Sequence, residues 1–356
     1  MAARRLQRLV PLGAEPSRPA LSPAPLVGTG GLRSVPAAAS SGPDWDALHA
    51  AFRADGVVAV RQAFDMEWIE RLRSMVPQAL AGENGDLERY SRPADAAFVG
   101  EMDCSRKYPV CQHFVFESPA AEVAARCIGA ASLNFFYDFL FVKEPGTPAR
   151  TPWHQDLPYW HVEGADIVSI WLPLDDVPRE SSLEFLRGSH LSGEEFAPVK
   201  IGDGSRYQGS AGMPAVPIAA ETPEQVLSWE LKLGDCLVFD SRVVHAAPPV
   251  AAGAPRRRAF ATRWCGEDAR YCVSTKCEET RRSGYPNFAC GLEEGDALTC
   301  RAFPIVWPPE RRLAESGYRG LEAEQQADLL TLQPDRDYAQ VRRAQAVAYS
   351  TGVAAR

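Results

Sequence analysis

The chain has 356 residues, 46% of them hydrophobic and 24% charged, with a net charge of −8. This is the composition of an ordinary globular protein with room for one large domain or two. The acidic balance argues against nucleic acid as the main partner, because phosphate binding wants a basic surface. No stretch approaches the roughly 18 uninterrupted apolar residues that a membrane-spanning helix needs.

Residues 1–43 hold Arg4, Arg5, Arg8, Arg18 and Arg33 against a single acid, Glu15, in a background of Ala, Pro, Ser and Gly. Such a segment cannot bury a core and reads as a disordered extension. Its Arg-rich, acid-poor character fits an organelle transit peptide equally well. The implied location is intracellular: cytoplasm, or mitochondrion or plastid if the segment is a transit peptide.

Order is expected from Asp44. "DWDALHAAFRADG" has helical apolar spacing and stops at Gly56, and "VVAV" is a short β-branched strand. "DMEWIERLRSMVPQAL" reads as a second helix capped by Asp65. "SPAAEVAARCIG" reads as a third, with Ser118 as cap, Pro119 in the first turn and Gly129 as stop. Beyond residue 130 the texture changes. "LNFFYDFLFVKEPG", "DIVSIWLPL", "SLEFL", "CLVFDSRVV" and "RAFATRW" are strand-like and separated by turn signals. Short strands without intervening helices predict a mainly β sandwich or jelly roll, not a parallel α/β sheet. From about residue 311 to 356 the chain is polar and helical in pattern. The nine cysteines form no C-x-x-C, so free thiols are expected in place of a zinc site or a disulfide framework.

Chemistry concentrates in "TPWHQDLPYW", residues 151–160. On a strand, His154 and Asp156 would share a face. A carboxylate among Trp, Tyr, Leu and Pro is costly to bury unless a cation or hydrogen bonds compensate it. Two readings stand at this point: an Asp–His hydrogen bond in a wet loop, or part of a metal site. His245, at the end of "CLVFDSRVVHAA", supplies a third donor. Two histidines and one carboxylate with open positions opposite are the donor set of non-haem Fe(II) oxygenases. An arginine on the strand that follows His245 could hold a carboxylate through two parallel hydrogen bonds. His190 in "RGSH" reads as a turn-closing structural residue, and His113 as a residue that could face the site's mouth.

The ordered segments "FVKEPGTPARTPWHQDLPYW", "DIVSIWLPLDDV", "LEFLRGSH", "LKLGDCLVFDSRVVHAAPP" and "RRRAFATRWCGEDARY", with "FPIVWPP" beyond them, resemble the phytanoyl-CoA dioxygenase family. The resemblance spans about residues 45–310 and implies one oxygenase domain there. It implies a double-stranded β-helix (jelly roll, cupin-like) core with flanking N- and C-terminal helices. It implies Fe(II) and 2-oxoglutarate, with ascorbate as a supporting reductant. Carried over by position, His154, Asp156 and His245 match the iron ligands. Arg257 matches the partner of the distal 2-oxoglutarate carboxylate, with Arg256 and Arg258 as neighbours in the register. Period 2 puts Arg257 on one face with the small Ala259 and Ala261, which favours it. Trp171 resembles a co-substrate-pocket aromatic, with core packing as its other reading. Gln155 resembles a polar pocket residue, or else points outward. Lys143 reaches the same pocket, or else snorkels to the surface. One departure is Ser181-Ser182, where the family pattern has Ser-Gly.

The implied reaction is hydroxylation of a small organic substrate by O2, with 2-oxoglutarate decarboxylated to succinate and CO2. Related halogenases lack the carboxylate ligand, so Asp156 favours hydroxylation. Two alternatives keep the barrel: a non-redox metal-dependent isomerase or hydrolase, and a non-enzymatic jelly-roll binding protein.

Overall fold

The computed structural model describes residues 42–82, 87–216, 223–274, 276, 292–300 and 303–311. The expected extension before residue 42 and the polar helical segment after 311 lie outside the described residues.

Helix α1 (Trp45–Asp55) begins where Asp44 Oδ1 accepts from Ala47 N at 3.0 Å. It ends at Gly56, whose φ of 81° is the left-handed conformation that glycine tolerates. A Cβ at Gly56 would stand 2.5 Å from His190 Nδ1. His190 Nε2 donates to the Arg53 carbonyl at 3.2 Å, which bears out its structural reading. Strand β1 (Val57–Val60) and helix α2 (Met66–Leu80) follow as expected, but Asp65 makes no side-chain capping bond. After β2 (Glu88–Arg89) and β3 (Phe98–Met102) comes α3 (Pro109–Glu117), a helix the sequence did not announce. Cys111, Gln112, Phe114 and Val115 are all buried, so no polar stripe marks its period. His113 is exposed on α3, within 3.2 Å of Arg71, and takes no part in the site. Helix α4 (Ala120–Ile128) starts one residue late, with Ser118 Oγ accepting from Ala120 N.

The strands are β4 (Leu133–Lys143), β5 (Thr151–His154), β6 (Val162–Glu163), β7 (Ile167–Pro173) and β8 (Glu184–Leu186). Then come β9 (Val226–Leu227), β10 (Cys236–Asp240), β11 (His245–Ala247), β12 (Arg257–Cys265), β13 (Arg270–Tyr271) and β14 (Ile305–Trp307). An eight-stranded sheet runs β1-β10-β7-β12-β4-β3-β2, with β14 also on β4. A four-stranded sheet runs β5-β11-β8-β9, and β6 pairs with β13. The pairings of both main sheets are antiparallel.

Alternation along the strands of the large sheet splits the core in two. Val168, Ile170, Leu172, Val238, Phe260 and Trp264 face outward and pack with Ile69, Leu72, Phe114 and Ala124 of the helices. Trp171, Leu237, Phe239, Ala259 and Ala261 face inward and meet Phe185 and Ala247 of the small sheet. The helices seal one face of the large sheet, and the interior between the sheets is left for the site.

Cys104, Cys111, Cys127, Cys236, Cys265 and Cys272 are free thiols. Cys300 is disulfide-bonded, which corrects the expectation of free thiols throughout. No helix of the described residues is long and apolar enough to cross a membrane.

Candidate active site

The three expected ligands converge. His154 closes β5, and His245 opens β11 directly opposite it in the register. Their rings lie 4.2 Å apart, centroid to centroid. Asp156 Oδ1 stands 3.6 Å from His154 Nε2 and 3.8 Å from His245 Nε2. All three side chains are buried.

The route to this geometry differs from the strand argument in two places. Strand β5 stops at His154, and Asp156 has a helical backbone (φ −73°, ψ −43°) at the start of a short 3-10 turn. The turn is tied down by Leu157 N donating to the Ser241 carbonyl at 2.9 Å. Asp156 thus reaches the histidines by swinging round a strand end, not by sharing a strand face. Likewise "CLVFDSRVVHAA" is not one strand. Strand β10 ends at Asp240, whose carboxylate accepts from Arg242 N at 2.8 Å and grips the Arg242 guanidinium. That corner carries the chain from the large sheet to the small one, so His245 arrives on the opposite wall.

Hydrogen bonds settle the imidazole tautomers. His154 Nδ1 faces the Pro152 carbonyl at 2.8 Å, and His245 Nδ1 faces the Val243 carbonyl at 3.1 Å. A carbonyl only accepts, so each Nδ1 carries a hydrogen and each ring turns its Nε2 inward. Burial, followed by the neighbouring His154, pulls the His245 pKa down to about 4 against the pull of Asp156, so the ring is neutral. Burial acts to raise the Asp156 carboxyl, but His154, His245 and Arg263 outweigh it and hold it well below the usual carboxylate range. Two inward Nε2 atoms and a carboxylate oxygen therefore converge in a dry setting. With a metal ion between them they would be a ligand set. The donors fit a divalent transition metal such as iron.

Two contributors were not singled out in the sequence. Ser169 Oγ donates to Asp156 Oδ2 at 2.9 Å, orienting the carboxylate from β7. A lone serine inside the apolar run "DIVSIWL" was the available signal. Arg263 lies on the inward face of β12, buried, with its guanidinium carbon 4.7 Å from the Tyr137 ring centre.

The other expected residues divide. Arg257 is buried on the inward face, donates to the Ser181 carbonyl and has its pKa pulled down to about 10 by burial. Arg258 points the other way and makes a two-bond pair with Asp175 at 2.6 and 2.9 Å. Arg256 pairs with Glu144 at 2.8 Å. Trp171 is inward and buried, in register with Ala261. Lys143 is buried, not snorkelling. Its Nζ donates to the carbonyls of Ala149 (2.9 Å), Ala247 (3.3 Å) and Pro248 (3.1 Å) and lies over the Phe98 ring. The Gln155 amide nitrogen donates to the carbonyls of Glu194 and Arg242, and its oxygen accepts from Phe196 N. It fastens the segment after residue 193 to the metal-ligand turn. Ser182 is buried at a φ of −79°, so the absent glycine costs the backbone nothing here.

A jelly roll that aims two histidines and one carboxylate inward has the donor set of a non-haem metal enzyme. Residues 52–259 match the family described as phytanoyl-CoA dioxygenase. The chain belongs to that family of iron- and 2-oxoglutarate-dependent oxygenases, and His154, Asp156 and His245 form its metal-binding triad. Solved structures share the fold. The non-haem alpha-ketoglutarate-dependent epimerase SnoN of nogalamycin biosynthesis is 23% identical, with a TM-score of 0.57 over 74% of this chain and 96% of its own. SnoN is also known in complex with Fe3+, alpha-ketoglutarate and nogalamycin RO. The carbocyclase SnoK of the same biosynthesis is 20% identical, with a TM-score of 0.57 over 75% of this chain and all of its own. No curated protein matches the chain significantly.

Proposed function

We propose that this protein hydroxylates a small organic molecule, using iron held by His154, Asp156 and His245 and 2-oxoglutarate as co-substrate. The carrying observation is the convergence of two inward Nε2 atoms on one Asp156 oxygen. Iron and 2-oxoglutarate supply the O2-derived oxidant, with succinate and CO2 as co-products. Three protein donors would leave open positions on a bound metal for co-substrate and O2. Keeping the carboxylate ligand leaves no protein-vacated position for a halide, which favours hydroxyl as the group transferred.

The chain's own part is placement. Ser169 holds Asp156, and the Pro152 and Val243 carbonyls hold the imidazoles, so the donors meet the metal already oriented. Arg257 is assigned to the distal carboxylate of 2-oxoglutarate. Ala259 and Ala261 leave room beside it, and Trp171 stands next to Ala261 on the neighbouring strand. Lys143 and Gln155 hold the walls through backbone carbonyls. A cavity of about 250 Å³ lies beside β5, lined by Pro152, Trp153, Ala197, Val199 and Arg206.

Anaerobic titration of Fe(II) and 2-oxoglutarate into the purified protein tests the reading. A visible charge-transfer band requiring both components is expected, followed on aeration with substrate by succinate and a product carrying oxygen from O2. A folded protein that binds Zn(II) but gives no such band would return the reading to a non-redox isomerase or hydrolase. Substrate-dependent succinate with a product lacking the new oxygen would replace hydroxylation by epimerisation or ring closure.

A further inference from the structure

A dicarboxylate lying in a dry slot calls for a cation at each end, and one guanidinium is accounted for. Arg263 follows Arg257 by six residues, so period 2 returns it to the same inward face, with Ala259 and Ala261 between them. At a rise of about 3.3 Å per residue the two Cα atoms are about 20 Å apart. Arg263 does not extend away along the strand. Its Nη1 donates to the Ala261 carbonyl at 3.1 Å, so the side chain folds back over the alanine floor. Its plane is framed by aromatic faces, with the guanidinium carbon 4.7 Å from the Tyr137 centre and 6.0 Å from that of Phe141. Tyr137 is itself fixed, its hydroxyl accepting from Trp160 Nε1 at 2.9 Å.

The position is also tied to the metal. Arg263 is the register partner of Ser169, the residue that holds Asp156. It is only 5% exposed, so a carboxylate beside it meets little competition from water.

We propose that Arg263 is the second anion-binding residue of the site, receiving the carboxylate that 2-oxoglutarate presents on the metal side, while Arg257 receives the distal one. The inference rests on the co-substrate reading above and adds a division of labour between the two ends of β12. It makes Arg263 a cofactor-positioning residue whose planar fork, not charge alone, is required.

The test compares two 2-oxo acids on Mn(II)-loaded, full-length protein under anaerobic conditions, by calorimetry. 2-Oxoglutarate carries both carboxylates, and 2-oxobutyrate carries only the metal-side one. Arg263→Gln should weaken both by about tenfold or more. Arg257→Gln should weaken 2-oxoglutarate alone. Arg263→Lys, which keeps the charge and loses the fork, should weaken both by a smaller factor, and it decides the matter if the glutamine variant does not fold. Mn(II) affinity, read by electron paramagnetic resonance, should stay within about threefold of wild type. Three results would each overturn the proposal: unchanged affinity for both acids in the Arg263 variants, loss confined to 2-oxoglutarate, or a loss explained wholly by weaker Mn(II) binding. A wild-type protein that binds Mn(II) but neither acid would instead sink the co-substrate reading itself.

Discussion

Strand β12 presents two different chemistries on its two faces. Outward, Phe260 and Trp264 fill the layer under the helices, Trp264 Nε1 donates to Thr262 Oγ1, and Arg258 is matched by Asp175. Inward, the same strand carries Arg257 and Arg263 with two alanines between. The outer face is filled and charge-balanced. The inner face sets small side chains beside cations in a dry setting. On the proposed reading one strand serves stability on one side and co-substrate binding on the other, and a substitution on one side should leave the other side's property nearly intact.

The largest expected breach of that division is Asp156→Ala. Outer-shell partners alone are worth about 10- to 100-fold in metal affinity, so loss of a ligand should exceed that. Fe(II) titration would show it, and unimpaired iron binding would refute the ligand assignment. On the outer face, Phe260→Ala should lower stability by about 3–5 kcal/mol in denaturant melts. Mn(II) affinity in that variant should be unchanged under native conditions. A parallel fall in metal affinity would show that the faces are coupled.

Smaller effects sharpen the picture. Ser169→Ala should weaken metal binding about tenfold by freeing the Asp156 carboxylate, with a melting temperature close to wild type. The metal-free protein should lose stability as pH falls from about 6.5 towards 4. The His245 pKa is depressed in the folded state, so the unfolded chain takes up its proton first. A thermal-melt series across that range checks the sign, and His245→Gln should flatten the slope. Least of all, Arg258→Gln should cost no more than about 1 kcal/mol, because its pair with Asp175 keeps some contact with water.

Much of the site was legible because it is written locally. H-x-D and the alternation that separates Arg257 from Arg258 are short-range signals, and His245 marks the end of a recognisable apolar run. Other parts depend on where distant segments meet. Ser169 acquires its role only because the turn after β5 brings Asp156 beside β7. The breaks at His154 and Asp240 are hidden because apolar residues resume at Leu157 and Val243, so periodicity reads on as strand. Gln155 looked like a pocket residue because it stands between two ligands, yet its amide reaches Glu194, Phe196 and Arg242. In the helical layer, α3 is apolar on too many sides for its period to show.

The direct opposition of His154 and His245 in the register has a consequence for the protein's lifetime. Both residues belong to a small sheet whose strands are only two to four residues long, so few backbone hydrogen bonds close it. An ion held by both histidines acts as a rung across that sheet. At a concentration one hundred times its dissociation constant, a ligand specific to the native state adds about 2.7 kcal/mol. Iron supply would then govern survival against proteases as well as turnover, and starvation for the metal would be read first as loss of the protein.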